Sequence, residues 1–406
     1  MDALETRQKL YLPDSRNCLV NLANSVLARF GAVPLHDTLP LADQYLGGKR
    51  KNVVLLLLDA MGISILEKHL DRNGFFRSHL AGSLESVYPP TTVAATTSVM
   101  SGLYPNEHGW LGWDMYYPKL DKNVTVFTNS EQLTEKEGAA PAGTDADGKP
   151  VWDENSLAER KPAADHHAGF AYTPYQTIVD RICETGGRAF FFMPFMPPYP
   201  GDLDAILKRT EDLCSEPGCK FIYAYWNEPD ATMHRTGTVS PQTHELVTLL
   251  EERIERFAAG LSDTLLMVTA DHSHVDSRNL CILDHPEVLG CLERLPSLEP
   301  RTLNLFVKKA DRERFPDVFR QHFGEDFLLL TREEVLRLGL FGPGESHPEL
   351  ELMIGDYVAA AVSDTSIFNT HYEAQSMPGG HAGMTPEEFR IPLIVIDCPG
   401  GIMQRM

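Results

Sequence analysis

Residues 53–59 read VVLLLLD: six apolar residues in succession, then a carboxylate, with Ala60, Met61 and Gly62 behind it. A short unbroken apolar run bounded by turn residues suits a strand buried on both faces, the habit of parallel sheets covered by helices. A chain built around such a strand is constrained to an α/β architecture. Its terminal acid then stands at the carboxyl edge of the sheet, where open α/β sheets bind ligands. Taken alone, Asp59 serves equally well as a cap for a helix beginning near Ile63. The grammar recurs, however: the run at 265–269 leads to Asp271 and His272, and the run at 220–225 leads to Asp230. Three strands therefore bring metal-capable side chains to one edge.

A length of 406 residues predicts one large α/β domain with an insertion, or two domains. The formal net charge of -21 argues against polymeric nucleic acid as a partner, because no basic surface is available to displace phosphate counterions. A small phosphate ester can still bind where metal ions supply positive charge. The segment MDALETRQKLYLPDSRN carries acids and no apolar core, so no secretory signal and a cytoplasmic location are expected. Apolar runs are too short to span a bilayer, so no membrane anchor is expected. Seven cysteines scattered from Cys18 to Cys398 do not form a disulfide framework, and Cys214 and Cys219, which flank a turn, are expected to stay unpaired.

Along the chain, Leu19, Leu22, Val26 and Leu27 predict a helix ending at Gly31, followed by the strand at 53–58, a helix over 63–70 and a strand over 82–87. Pro89 and Pro90 stop that strand, and the small residues of 93–101 predict a closely packed helix ending at Gly102. A hydroxyl at the start of this helix lies beside free N–H groups and the positive end of the helix dipole, a place suited to phosphate. A hairpin is expected over 113–127, and 130–168, rich in Gly, Pro, Ala and charge, reads as a long surface loop poised as a lid. Helices at 172–187, 202–214 and 240–260 alternate with strands at 189–194, 220–225 and 265–269. Residues 276–352 read as a small α+β insertion, with 356–362 and 391–396 expected as the closing strands of the main sheet. The hydrolase core would then comprise 1–275 and 353–406.

Asp230 and His234 are four apart, so on a helix both project from one face. Asp271 and His272 are adjacent at a strand end. His381 lies in MPGGHAGM, where Gly379, Gly380 and Gly383 permit close backbone approach. Each alone is unremarkable. Together with Asp59 they give three Asp and three His, a donor set suited to zinc, with manganese or iron as alternatives. Six ligands divide naturally between two divalent ions about 4 Å apart, one activating an attacking oxygen and the other holding phosphoryl charge.

The motifs LLLLDAMG, YPPTTVAATTSVMSGLYPNEHGW, NEPDATMHRTG, VTADHSHVD and GGHAGM, in this order, resemble the alkaline phosphatase superfamily, and within it the type I phosphodiesterase and nucleotide pyrophosphatase branch. The resemblance implies an α/β/α sandwich around a large mixed, mostly parallel sheet. It implies one zinc on Asp230, His234 and His381 and another on Asp59, Asp271 and His272. Thr92 rather than Thr91 would be the nucleophile and would also touch the metals, since the family's threonine stands at a fixed distance before the glycine that is Gly102 here. The implied reaction is metal-dependent hydrolysis of a small phosphodiester through a phospho-threonine intermediate, with phosphonoacetate-hydrolase-like or phosphomonoesterase activity as alternatives. A non-catalytic binding or scaffold member of the fold is the alternative of another class.

Where many nucleotide-cleaving relatives carry an asparagine that holds a phosphate oxygen, this chain has Ala95. That contact is expected instead from the helix N–H groups, such as that of Val93, from a hydroxyl or from Asn227. Trp113 and Tyr116, among the aromatics near the motifs, are candidates to stack on a leaving group. His108 and His274 are expected to support ligands rather than bind metal. A sulfatase would need a Cys-x-Pro-x-Arg context, which PPTTVAAT lacks.

Overall fold

The computed structural model describes residues 11–48 and 50–400. Most of the segment on which the reading of an absent secretory signal rests lies outside the described residues. Among the described residues six strands form the main sheet: β1 (Asn52–Leu58), β2 (Leu80–Glu85), β3 (Ala189–Phe192), β4 (Lys220–Trp226), β5 (Thr264–Thr269) and β6 (Arg390–Cys398), in spatial order β2-β6-β5-β1-β4-β3. β1 is buried at every position, so the sheet is covered on both faces. β5, β1, β4 and β3 run parallel, and β6 joins β5 antiparallel. The register aligns the parallel ends: Leu58 lies opposite Trp226, and Leu57 opposite Thr269. The turns that follow these three neighbouring strands therefore open at one level.

Cover comes from two groups of helices. α1 (Leu19–Arg29) and α2 (Thr92–Ser101) pack together with the helix Ile178–Glu184. α3 (Asp230–Thr236) follows β4 and leads into α4 (Pro241–Gly260), which packs on the helices Ile63–His69 and Leu203–Ser215. All ten residues of α2 are buried, which its alanines, threonines and serines permit because small side chains let the helix lie close to its neighbours. Each fully buried leucine of β1 contributes about 1.5 to 3 kcal/mol through removal from water. The helix expected over 172–187 is two helices, Ala168–Tyr172 and Ile178–Glu184. Pro174 lies in the break, and Thr177 caps the second piece by accepting from the Asp180 N–H.

A second sheet, antiparallel throughout, has the order Phe327–Thr331, Tyr357–Ala361, Thr302–Leu305, Ser297–Glu299, Asp114–Tyr117, Lys122–Thr125, Ser130–Glu131. The run at 356–362 was expected to close the main sheet. Its strand, Tyr357–Ala361, instead lies between Thr302–Leu305 and Phe327–Thr331. The physical reason is that Val358, Ala359, Ala360 and Ala361 are buried on both faces, and a continuous apolar run records burial without recording its hydrogen-bonded neighbours. This sheet reaches to both sides of 276–352, drawing on 114–131 and 357–361 as well. The run at 391–396 does fall in the main sheet, within β6.

A buried ion pair helps to join the two sheets. Arg301, fully buried just before Thr302–Leu305, donates from Nε and Nη2 to both oxygens of Glu388 at 2.7 and 3.0 Å. Its remaining N–H groups reach the carbonyls of Thr365 and Ser363 at 3.1 and 2.8 Å. Glu388 lies two residues before β6 and is also fully buried. Arg301→Ala should cost about 3 to 5 kcal/mol, because it strands the Glu388 carboxylate without its cation. A urea unfolding midpoint unchanged from wild type would contradict this account.

Candidate metal centre

Asp59 follows β1, Asp230 opens α3 after β4, and Asp271 and His272 follow β5, so the aligned strand ends place four of the six expected ligands. His234 is one turn further along α3, with Nε2 3.5 Å from Asp230 Oδ2. His381 arrives from the loop before β6, with Nε2 3.8 Å from Asp230 Oδ1 and its ring stacked on that of His272 at 3.9 Å. The side chains fall into two compact groups, one of Asp230, His234, His274 and His381 and one of Asp59, Asp271 and His272. Thr92 is the first residue of α2, and its Oγ1 lies 3.2 Å from His272 Nε2 and 3.4 and 3.5 Å from the Asp59 oxygens. Thr91 is turned elsewhere: its hydroxyl donates to Glu299 Oε1 at 2.5 Å.

The imidazoles are oriented by backbone carbonyls. His234 Nδ1 lies 3.0 Å from Gly379 O, His272 Nδ1 3.1 Å from Ser273 O, and His381 Nδ1 3.2 Å from Pro90 O. A carbonyl only accepts, so each Nδ1 carries the proton and each Nε2 presents its lone pair to the centre. The Gly379 contact requires glycine: a Cβ there would stand 2.5 Å from Met233 O and 2.9 Å from His274 Nδ1. Ala60 and Ala382, beside Asp59 and His381, hold left-handed φ values of 59° and 80°. Non-glycine residues adopt this region at a cost of about 1 kcal/mol or more, which the surrounding packing offsets to aim the two ligands.

The charges fit a cation. Burial, reinforced by Asp271 and Asp230, pushes the Asp59 carboxyl well above its ordinary range. Burial likewise raises Asp271, against the opposing pull of His272. Asp271 Oδ1 accepts from the N–H groups of Ala60 and His272 at 3.0 Å each, while Oδ2 is buried with no hydrogen-bond partner. An orphaned anionic oxygen beside two more carboxylates and three imidazole lone pairs is a set of donors lacking an acceptor, which a divalent ion supplies. Asp230 differs: burial opposes its ionisation, but His234, His274 and His381 outweigh that and hold it well below the usual carboxylate range.

His274 lies within the first group, yet its Nε2 is 3.0 Å from Asp230 Oδ1 and donates to it, so it steadies the ligand. His108 is buried behind α2, 3.0 Å from Ser98 Oγ. A cavity of about 300 Å³ opens from Thr92 and is lined by Trp113, Gln132, Arg160, Glu299 and Glu373 among others. Gln132 and Arg160 come from the segment 130–168, which contributes part of the cavity wall. Val93 presents its N–H at the second position of α2 while its side chain is buried. Asn227 is half-buried in the turn between β4 and α3 and does not line this cavity. Tyr116 also lies apart, packed on Phe306 at 4.5 Å and under the Arg294 guanidinium at 4.3 Å. Trp110 and Tyr117 are core residues.

Two residues escape sequence reasoning. Tyr225, near the end of β4, donates its hydroxyl to Asp59, and nothing local marked it, since the same strand also carries Lys220 and Tyr223. Glu299, one acid among 57, had no signal at all. Its Oε1 accepts from Thr91 Oγ1 and from the Trp113 N–H at 2.7 Å, and burial pushes its pKa up to about 8.

A buried acid with a raised pKa keeps a proton that the unfolded chain has already lost. Folding then takes up a proton, and stability falls as pH rises between the two pKa values. Metal-free wild type should lose stability relative to Glu299→Gln, by on the order of 1 to 3 kcal/mol, between pH 5 and 8. Parallel stability curves for the two proteins would refute the raised pKa. Gly379→Ala should release His234 and lower affinity for a divalent metal ion by about 10- to 100-fold, read by competition with a chelator.

Residues 53–320 match the family model for type I phosphodiesterase / nucleotide pyrophosphatase. A curated relative, ectonucleotide pyrophosphatase/phosphodiesterase family member 3 of Rattus norvegicus, is 22% identical over 260 residues, which make up 63% of this chain and 26% of that protein. The chain thus spans about a quarter of that relative's length. Among solved structures, an inactive variant of murine ectonucleotide pyrophosphatase/phosphodiesterase 5 in complex with AMP aligns with TM-score 0.58 and 14% identity, covering 87% of this chain and 88% of that one. Phosphonoacetate hydrolase from Sinorhizobium meliloti 1021 in complex with phosphonoformate aligns with TM-score 0.57 and 15% identity, covering 87% and 92%. At these identities the structural matches establish the alkaline-phosphatase-like fold.

Proposed function

Since the chain belongs to the type I phosphodiesterase / nucleotide pyrophosphatase family, we propose that it hydrolyses a small phosphodiester at Thr92 through a phospho-threonine intermediate. The observation that carries this reading is the position of Thr92 Oγ1, at a helix N-terminus and within 3.5 Å of both His272 and Asp59, two members of one metal-ligand group whose His272 ring stacks on His381 of the other. Asp230, His234 and His381 would hold one divalent ion and Asp59, Asp271 and His272 the other, with zinc the best match to this donor set. When bound, such ions supply the positive charge that stabilises an alkoxide and the phosphoryl oxygens.

The chain's own residues supply the rest. Thr92 Oγ1 bonds to phosphorus as the bond to the leaving ester oxygen breaks, and the hydroxyl proton that Thr92 gives up ends on that oxygen, which departs as the alcohol. Water then displaces Oγ1 from phosphorus and a proton returns to Thr92, which regenerates the enzyme. The N–H groups of Thr92 and Val93 have no acceptor within α2, so they are free for a phosphoryl oxygen and offset the missing amide at Ala95. The 300 Å³ cavity beside Thr92 gives room for a substituent on phosphorus in addition to the leaving group, the second ester arm that a diester has and a monoester lacks. Trp113, 40% exposed, offers a flat apolar face there. Arg160 on the same wall supports a second reading, a phosphonate bearing a carboxylate, for which a guanidinium is the natural partner.

Thr92→Ala with its two metals retained should lose at least about 1,000-fold in kcat for bis(p-nitrophenyl) phosphate. Unchanged kinetics in the metal-loaded variant would remove Thr92 from the reaction. A panel of that diester, p-nitrophenyl phosphate and phosphonoacetate on one zinc-loaded preparation separates the readings. Under the lead reading the diester has the highest kcat/KM; a phosphonoacetate preference lost in Arg160→Gln would favour the second.

A further inference from the structure

Away from this centre, three side chains from distant parts of the chain meet under the segment 130–168. Cys281 ends the strand Arg278–Cys281, which pairs with Thr365–Phe368. His371 opens α5 (His371–Ser376) just beyond Phe368, and Glu135 reaches in from the 130–168 segment. Their ligand atoms all lie within 4.8 Å of one another, and Cys281 is 3% exposed. Glu135 Oε1 is 2.8 Å from His371 Nδ1, and Asp284 Oδ1 is 3.0 Å from Nε2 on the other side of the ring. Trp152 lies flat on the same imidazole at 4.2 Å with an interplanar angle of 8°.

We propose that Glu135, Cys281 and His371 form a third metal site, for a zinc-class divalent cation. A carboxylate, a thiolate and an imidazole are the three ligand types zinc accepts, and three protein ligands leave the fourth position to water. A hydrogen-bonded bridge of one histidine between two acids would need no sulfur, yet a buried sulfur is there. Asp284 adds the second feature of a built site: a carboxylate on the ring nitrogen opposite Glu135, the arrangement that orients metal-bound histidines. Binding releases two protons, that of the Cys281 thiol and that of His371 Nδ1 now shared with Glu135, so that thiolate, Nδ1 lone pair and carboxylate face the ion while Nε2–H stays on Asp284.

The ion would act as a clasp. The Trp152 N–H already donates to Gln375 Oε1 at 2.9 Å, and Gln375 Nε2 donates to Pro150 O at 2.6 Å. Tyr372 reaches Glu154 at 3.0 Å. A cation shared by Glu135 and α5 fastens the segment that carries Gln132 and Arg160, against the helix that carries Glu373, around the cavity beside Thr92.

Sulfur makes the test specific, because neither group at the Thr92 centre contains a cysteine. Zinc-saturated, gel-filtered wild type should hold one equivalent more than Cys281→Ser. Cobalt(II)-loaded wild type should show a near-ultraviolet thiolate-to-cobalt absorption that vanishes in Cys281→Ser and in His371→Ala. Both variants keep the Thr92 centre, so retained diester hydrolysis reports that they fold; if Cys281→Ser does not, His371→Ala carries the comparison. Equal zinc content in wild type and variants, or a cobalt-loaded wild type without the sulfur band, would overturn the proposal. An empty Thr92 centre beside an intact sulfur band would instead sink the phosphodiesterase reading and leave this site standing.

Discussion

Three aspartates that follow three adjacent parallel strands meet at one edge, Asp59 and Asp271 buried and Asp230 half-buried, with imidazoles rather than Lys or Arg beside them. Asp59, Asp230 and Asp271 owe their proximity to the register of β5, β1 and β4, so the charge cluster is a consequence of the main sheet. Left alone it destabilises the fold, since carboxylates in a low-dielectric site must either hold protons or repel one another. The structure keeps it and surrounds it with imidazoles whose protons face outward. Such an arrangement is stable when positive charge is bound and poor otherwise, which ties folding of the edge to occupancy of the centre.

Because the strand ends deliver ligands along one line, a second direction of support is needed to close the centre. The loop carrying His381 supplies it, and that loop is placed by Arg301 and Glu388. Arg301 leaves the second sheet and grips the acid that precedes β6, while Glu388 Oε1 also accepts from the Gly383 N–H at 2.7 Å. The buried ion pair therefore connects the second sheet to the position of His381, a candidate ligand. Its energetic value is less in attraction, which desolvation largely cancels, than in fixing one arrangement of the two sheets.

The cluster of candidate ligands was legible in the sequence because its signals are local. Asp59 and Asp271 end apolar runs, Asp230 and His234 share a helix face by spacing, and His381 stands among glycines. Each of these signals is written within a few residues of the side chain that uses it. Glu299, Tyr225 and the strand Tyr357–Ala361 are of the other kind. Glu299 matters because Thr91 and the Trp113 N–H, some two hundred residues earlier, point at it. Tyr357–Ala361 joins the second sheet because of which strands lie beside it, and an all-buried run of valine and alanine carries no record of them. The break at Pro174 was written locally and lost only because the flanking apolar periodicity continued through it.

The same division separates catalysis from choice of substrate. Apart from His381, the residues proposed to bind metal and attack phosphorus lie just after strands and in the first turn or so of helices, where position follows from main-sheet geometry and tolerates little change. The cavity that would receive the substrate's substituent is walled by Trp113, Gln132, Arg160 and Glu373, from a hairpin, the 130–168 segment and α5, all outside the main sheet. Loops can vary without disturbing β1 and its neighbours, so a chain of this fold can keep one phosphorus chemistry while its leaving group is chosen elsewhere. The replacement of an asparagine by Ala95 fits that separation. Ala95 is fully buried inside α2, where its small size allows the helix to pack, and the free N–H groups one turn earlier remain available to a phosphoryl oxygen whichever substituent it carries.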